Sequence, residues 1–343
     1  MEPCAETMST EIGSVRVPRT ELDDLAAAPL SLEAFRPGPG ARAYRAMRDG
    51  WDVVRWTRHP IEFMRAVLPL PERWHNLLVL NEAATPMVES SPTSLSAALA
   101  MLRNLLHSEA LIDGRVDYAG LPQSPAYAAL REQSRLLTRL RPESFRSDAE
   151  RTAFWLNLYN TLSIHGITAL GLRRSAMEMP SFFIRIAYRV GEHLFCLDDI
   201  SNGVLRRGAT KPVTGRPQFR PDDPRMVYCP RIVDPRIHGA LVCVAASCPP
   251  VAYYDPERLE DQLDLAAEHL VTQLVHLDRH RHEVRLPLQF YYYAPDFGGP
   301  SGIVRFLLRH LPEPDRATAA QAFTEGWRLR WDPYDWGLNN HVR

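Results

Sequence analysis

Residues 234–255 read DPRIHGALVCVAASCPPVAYYD, and the rest of the chain can be placed around them. Asp234-Pro235 is a turn signal. Ile237, Ala240, Leu241, Val242, Val244 and Ala245 then form a short, nearly continuous apolar run. This run predicts a strand over 237–245 buried on both faces. It ends at Ser247-Cys248-Pro249-Pro250, and proline suits a first helical turn, where its missing N–H costs nothing. Cys248 is therefore expected at a strand-to-helix turn, where free N–H groups and the helix dipole favour a thiolate. His238 is expected at the start of the same strand. A thiol at a helix start plus a nearby imidazole is the minimum for nucleophilic catalysis. The competing reading is that the cysteine only packs and the histidine is a hydrogen-bonded structural residue.

Upstream, ERTAFWLNLYNTLSIHGITALGL (150–172) follows a capping signal at Ser147-Asp148-Ala149-Glu150. Its apolar residues surround the whole circumference, which predicts a helix over 149–170 buried on most sides. Asn157, Asn160, Thr161 and Ile164 share one face of it, with His165 at the edge. Buried amides need partners, so these asparagines either tie loops together or lend a polar face to a pocket. The spacing also predicts a long helix from Ser94, a helix over about 126–141, a hairpin within 180–195, and a short helix or helix plus turn over Cys196–Arg207. Residues 208–230 read as a surface loop, long enough to cover a site. An amphipathic helix after Pro256, a strand over 283–287 and two helices, Ile303–His310 and Asp315–Phe323, follow. Trp331, Tyr334 and Trp336 imply a C-terminal tail docked on the main body.

Forty basic residues against forty-one acidic ones give no global argument for nucleic acid or an anionic membrane. The five cysteines, Cys4, Cys196, Cys229, Cys243 and Cys248, form no CxxC and no zinc spacing, the usage of a cytoplasmic protein with reduced thiols. The polar N-terminus has no secretory h-region, and no window predicts a membrane span. There is no P-loop, GxGxxG, HExxH or GxSxG.

Six separated motifs carry a resemblance. They are Val116-Asp117-Tyr118 with Leu121, AFWLNLYNTLSIHG (153–166), LDDISNGVLR (197–206), DPRIHGALVCVAASCPP (234–250), LPLQFYYYAPDFG (286–298) and PYDWGLN (333–339). In this order the chain resembles the domain-of-unknown-function 547 family over about residues 97–341. The resemblance implies no activity. It implies that Asn157, Tyr159, Asn160 and His165 are family positions, that Ser201 stands where an acidic residue is usual, and that some plant relatives lack the cysteine matching Cys248. His238 and His165 are thereby the firmer site candidates.

The expected fold is α+β, mainly helical, with a small sheet from strands near 183–195, 237–245 and 283–287 packed on the 149–170 helix. An N-terminal extension over 1–93, partly disordered and then helical, precedes a domain over 94–343. Two functions from different classes fit. One is a cysteine-dependent hydrolase or acyl transferase acting on an amide or thioester of a small-molecule or peptide-like substrate. Cys248 would be its nucleophile, His238 its base, and Asn160 or Asp296 the group orienting the imidazole, with His165 converging on the same pocket and no cofactor or bound metal. The other is a non-catalytic binding or scaffold domain with a structural His/Asn cluster. A weaker alternative is a metal-dependent hydrolase using His165, His238 and Asp296.

Overall fold

The computed structural model describes residues 77–82, 93–179, 181–211, 216–332 and 334–341. The expected N-terminal extension lies outside the described residues, except for 77–82 and Thr93. The fold is α+β and mainly helical, as expected, but its strands form three small sheets rather than one. Strand β1 (Leu78–Val79) pairs parallel with β4 (Ile186–Val190), which forms an antiparallel hairpin with β5 (His193–Cys196). β2 (Leu111–Ile112) and β3 (Arg115–Val116) make a minimal hairpin. β7 (Glu283–Pro287) lies between antiparallel β6 (His276–Asp278) and parallel β8 (Arg328–Asp332).

Helix α1 (Leu95–Leu106) is capped by Ser94, whose Oγ accepts from Ala97 N. The helix expected to run through LSAALAMLRNLLHSEALI (95–112) ends at Leu106 because Leu111 and Ile112 are used in the β2–β3 hairpin. α2 (Pro125–Gln133) continues into a tighter turn over Ser134–Arg139. α3 (Asp148–Leu170) is the centre of the molecule. Ser147 Oγ accepts from Glu150 N at its start, and Gly171 ends it in the left-handed region at φ 62°. Every residue from Thr152 to Ile167 is buried, which explains why its apolar residues face all directions. One hydrophobic cluster gathers α1, α2, α3, β4 and β5. A second gathers β6–β8, α5 (Gly299–His310) and α6 (Asp315–Glu325). Helix α4 (Leu259–Leu274) contributes to both, Leu259, Leu263 and Ala266 to the first and Ala267, Leu270 and Val271 to the second.

The expected 237–245 strand is not formed. Pro235–Gly239 is a short 3-10 turn capped by Asp234, and residues 240–254 run on without regular structure, apart from a bridge between Ala245 and Leu338. The apolar run is real, since Ile237, Val242, Val244 and Ala245 are buried, but its backbone groups find partners other than a strand. Asn160 Nδ2 donates to Ala240 O (3.1 Å) while its Oδ1 accepts from Val242 N (2.8 Å). Asn157 does the same to Tyr254, at 2.7 and 2.8 Å. Each asparagine thus substitutes for a neighbouring strand, offering one donor and one acceptor to the same stretch of backbone. Of the two roles open to these residues, the tie is the one that their bonds describe.

Replacing Asn160 by leucine would orphan the Ala240 carbonyl and the Val242 amide in a buried setting. A loss of about 2–3 kcal/mol is expected, read by urea denaturation. A loss below about 0.5 kcal/mol would show that the tie contributes nothing.

Candidate active site

Each candidate residue has a defined place. His238 sits in the Pro235–Gly239 turn, not at a strand start. The turn is pressed against α4 so closely that a Cβ on Gly239 would meet Ala266 O at 2.5 Å. The His238 ring stacks on Tyr293 (4.4 Å between centroids) and Phe297 (5.4 Å). Its Nε2 is 2.8 Å from Asp296 Oδ2. Asp296 in turn receives Arg206 Nε at 2.5 Å and Nη2 at 2.9 Å, the two-pronged geometry that suits a guanidinium. Arg206, at the end of a π-helical turn over Asp199–Leu205, also bonds Asn202 Oδ1 at 2.7 Å and lies over the Tyr293 ring. All three charged or polar side chains are almost wholly buried. Burial alone would raise the Asp296 carboxyl, but hydrogen bonds from His238 and Arg206 outweigh it and hold the group below its usual value. Burial, only partly opposed by Asp296, lowers His238. The imidazole is therefore neutral and donates from Nε2 to the carboxylate.

His165 belongs to a different environment. Its Nδ1 is 2.6 Å from Tyr188 Oη and its ring packs edge-on against Tyr127. Among the described residues it shares no hydrogen-bond or ring partner with His238. Asn160 reaches the chain just after His238 through backbone groups of Ala240 and Val242. Asp296, not Asn160, is the residue that orients the His238 imidazole. Among the described residues no three His, Cys, Asp or Glu side chains are placed to hold a metal ion, so the His165–His238–Asp296 ligand set is not assembled.

Burial lowers His165 to about 4. Its folded value lies below the unfolded one of about 6.5. Its neutral form therefore contributes stability above that pH, and the contribution fades as pH falls toward 4. Stability of the native chain is expected to drop more steeply between pH 6.5 and 4 than that of His165→Gln. Parallel slopes in denaturant titrations across that window would contradict this.

Cys248 is not at a helix start. It lies in a turn after Ala245, well ahead of the short Pro256–Arg258 turn and α4. The residues between are anchored elsewhere, as Val251 N donates to Gly114 O and Tyr254 is held by Asn157. Without a helix N-terminus, burial raises the Cys248 thiol instead of lowering it. Its hydrogen-bond partners are Cys243 and Tyr334, not an imidazole. Cys243 Sγ and Cys248 Sγ are 3.1 Å apart, and Tyr334 Oη lies 3.1 Å from each. Cys243 N also donates to Cys248 Sγ at 3.1 Å. Both cysteines are free and half-buried. A hydrogen bond from the Cys248 thiol lowers Cys243, while burial and that neighbour raise Cys248. Between them, Val244 adopts φ 61°. That is an outlier for a β-branched residue and costs on the order of 1–3 kcal/mol. Such strain persists only where the surroundings enforce it, here through Asn339 N bonding Val244 O and Ala246 N bonding Gly337 O.

The site therefore has two halves. The thiol pair is roofed by the 334–339 segment. The buried Arg206–Asp296–His238 triad packs on the ring of Tyr293, which contacts both Arg206 and His238. The sequence singled out Cys248, His238 and Asp296 as candidates but did not mark Cys243, Tyr334 and Arg206 as their partners. The signal for Cys243 was its presence in the same stretch as Cys248.

No curated protein and no solved structure matches the chain. Among the described residues no helix is long and apolar enough to cross a membrane. Residues 142–271, which hold α3, His238, Cys243 and Cys248 but not Asp296 or Tyr334, match the model of the family described as "Protein of unknown function, DUF547", the family that the sequence motifs resemble.

Proposed function

We propose that the chain is a dithiol protein that exchanges disulfides through Cys243 and Cys248. The observation that carries this reading is the contact of two free, half-buried thiols whose acidities are pushed apart. Disulfide exchange needs one thiolate to attack and a second thiol to resolve. Cys243 Sγ attacks a substrate disulfide, forming a mixed disulfide and releasing one substrate thiolate. Cys248, losing its proton, then attacks Cys243 Sγ. The second substrate thiol leaves and the Cys243–Cys248 disulfide remains. The substrate is reduced by two electrons, and a low-molecular-weight thiol returns the pair to the dithiol.

The test is trapping. Cys248→Ser, incubated with a peptide disulfide, is expected to accumulate a mixed disulfide at Cys243, seen by intact mass. The unaltered protein should instead finish with an internal disulfide. Absence of both adducts would overturn the reading. A thiol hydrolase or acyl transferase is the second reading, favoured by the buried, Asp296-held imidazole of His238 in the same stretch of chain as Cys243. It would show as a Cys243 acyl adduct with a thioester substrate.

A further inference from the structure

We infer that Cys243, Cys248 and Tyr334 form a binding site for a thiophilic divalent cation of the zinc class. The three donor atoms make a triangle with every edge 3.1 Å. Zinc binds thiolate at about 2.3 Å, and a tetrahedral angle then sets the two sulfurs about 3.8 Å apart. The thiols need to open by only a few tenths of an ångström each. Two donors are thiol sulfurs and the third is the phenol oxygen of Tyr334. Both cysteines keep part of their surface exposed, so water or a substrate can take the fourth position, as in sites with three protein ligands.

The surroundings hold the triangle in place without the metal. Cys243 and Cys248 are joined by the strained turn at Val244. Tyr334 is fixed from its own side by Asp335 N bonding Ser247 Oγ at 2.9 Å and by its ring packing on Trp336 at 4.8 Å. A preformed donor set loses less ordering entropy on binding. Binding requires deprotonated thiols and releases their protons. The soft sulfur donors select zinc or cadmium over magnesium or calcium.

This inference does not depend on exchange activity, and its test separates the two. Reduced full-length protein is titrated with Cd2+, and the ultraviolet sulfur-to-cadmium charge-transfer band is recorded. One equivalent is expected to saturate the band. The double variant Cys243→Ser/Cys248→Ser, which keeps Cys4, Cys196 and Cys229, should lose it. Tyr334→Phe should keep the band but weaken binding about tenfold or more. In the unaltered protein, which removes any question of variant folding, Zn2+ should protect Cys243 and Cys248 from alkylation. Mg2+ should not. No band, or a band that survives in the double variant, overturns the site. A protein that exchanges disulfides but gives no band keeps its proposed function and loses this site. One that gives the band without exchange does the reverse.

Discussion

Asp296→Ala is expected to destabilise the protein by about 3–5 kcal/mol, because it leaves a buried guanidinium without its counter-charge. Arg206 and Asp296 are 3% and 5% exposed at their side chains, so water cannot replace the lost carboxylate. His238 would lose the carboxylate that its Nε2 bonds at the same time. The cost belongs to the broken pair and not to the absence of charge as such. Arg206→Met combined with Asp296→Leu should therefore be less damaging than the sum of the two single changes, by more than about 1 kcal/mol in a double-mutant cycle. The carboxyl is held below its usual value. Its stabilisation is therefore present above the unfolded value of about 3.9 and is lost as pH falls through the folded one. Additive single effects, or a loss under about 1 kcal/mol for Asp296→Ala, would contradict the buried-pair account.

Removal of residues 329–343 is the second large effect. It deletes most of β8, which pairs with β7 from Glu283↔Arg328 to Pro287↔Asp332. It also strips the segment that bonds Val244, Ala246 and Ser247 and that places Asn339 Oδ1 3.0 Å from Tyr118 Oη. Each buried backbone group orphaned in this way costs about 1–3 kcal/mol. A fall in melting temperature of at least about 10 °C, or failure to accumulate soluble protein, is expected. Trp331, Tyr334 and Trp336 are half-buried rather than fully enclosed. Most of the docking thus comes from backbone pairing and Asn339, which is 3% exposed. A truncated protein with an unchanged melting curve would sink the docked-tail account.

The central helix was legible because its signals are local. Ser147, the acidic first turn and the apolar surround of α3 need no knowledge of the rest of the chain. The hairpin expected within 180–195, strand 283–287, the helix after Pro256 and the helices expected over Ile303–His310 and Asp315–Phe323 were legible for the same reason. Residues 237–245 were misread because their burial pattern fits a strand, while Ala240, Val242 and Val244 find their backbone partners in Asn160 and the tail, far away in sequence. Without that strand, the expected helix start at Cys248 also disappeared. His238 and Asp296 were both candidates, yet their pairing rests on a separation of 58 residues, which no local pattern encodes. Arg206 went unnoticed because a lone arginine ordinarily marks a surface. Tyr334 was read as a packing aromatic, and only the fold brings its hydroxyl to the thiols.

The most direct test of the dithiol site is the rate of alkylation of each cysteine in reduced native protein across pH 5 to 9, followed residue by residue by mass spectrometry. Cys243 is expected to react first, with a midpoint below the free-thiol value of about 8.5. Cys248 should follow more slowly, and the buried Cys196 and Cys229, both raised by burial, should react only on unfolding. If Cys243 labels no faster than Cys229 until the protein unfolds, the paired thiols are packing residues and the account fails.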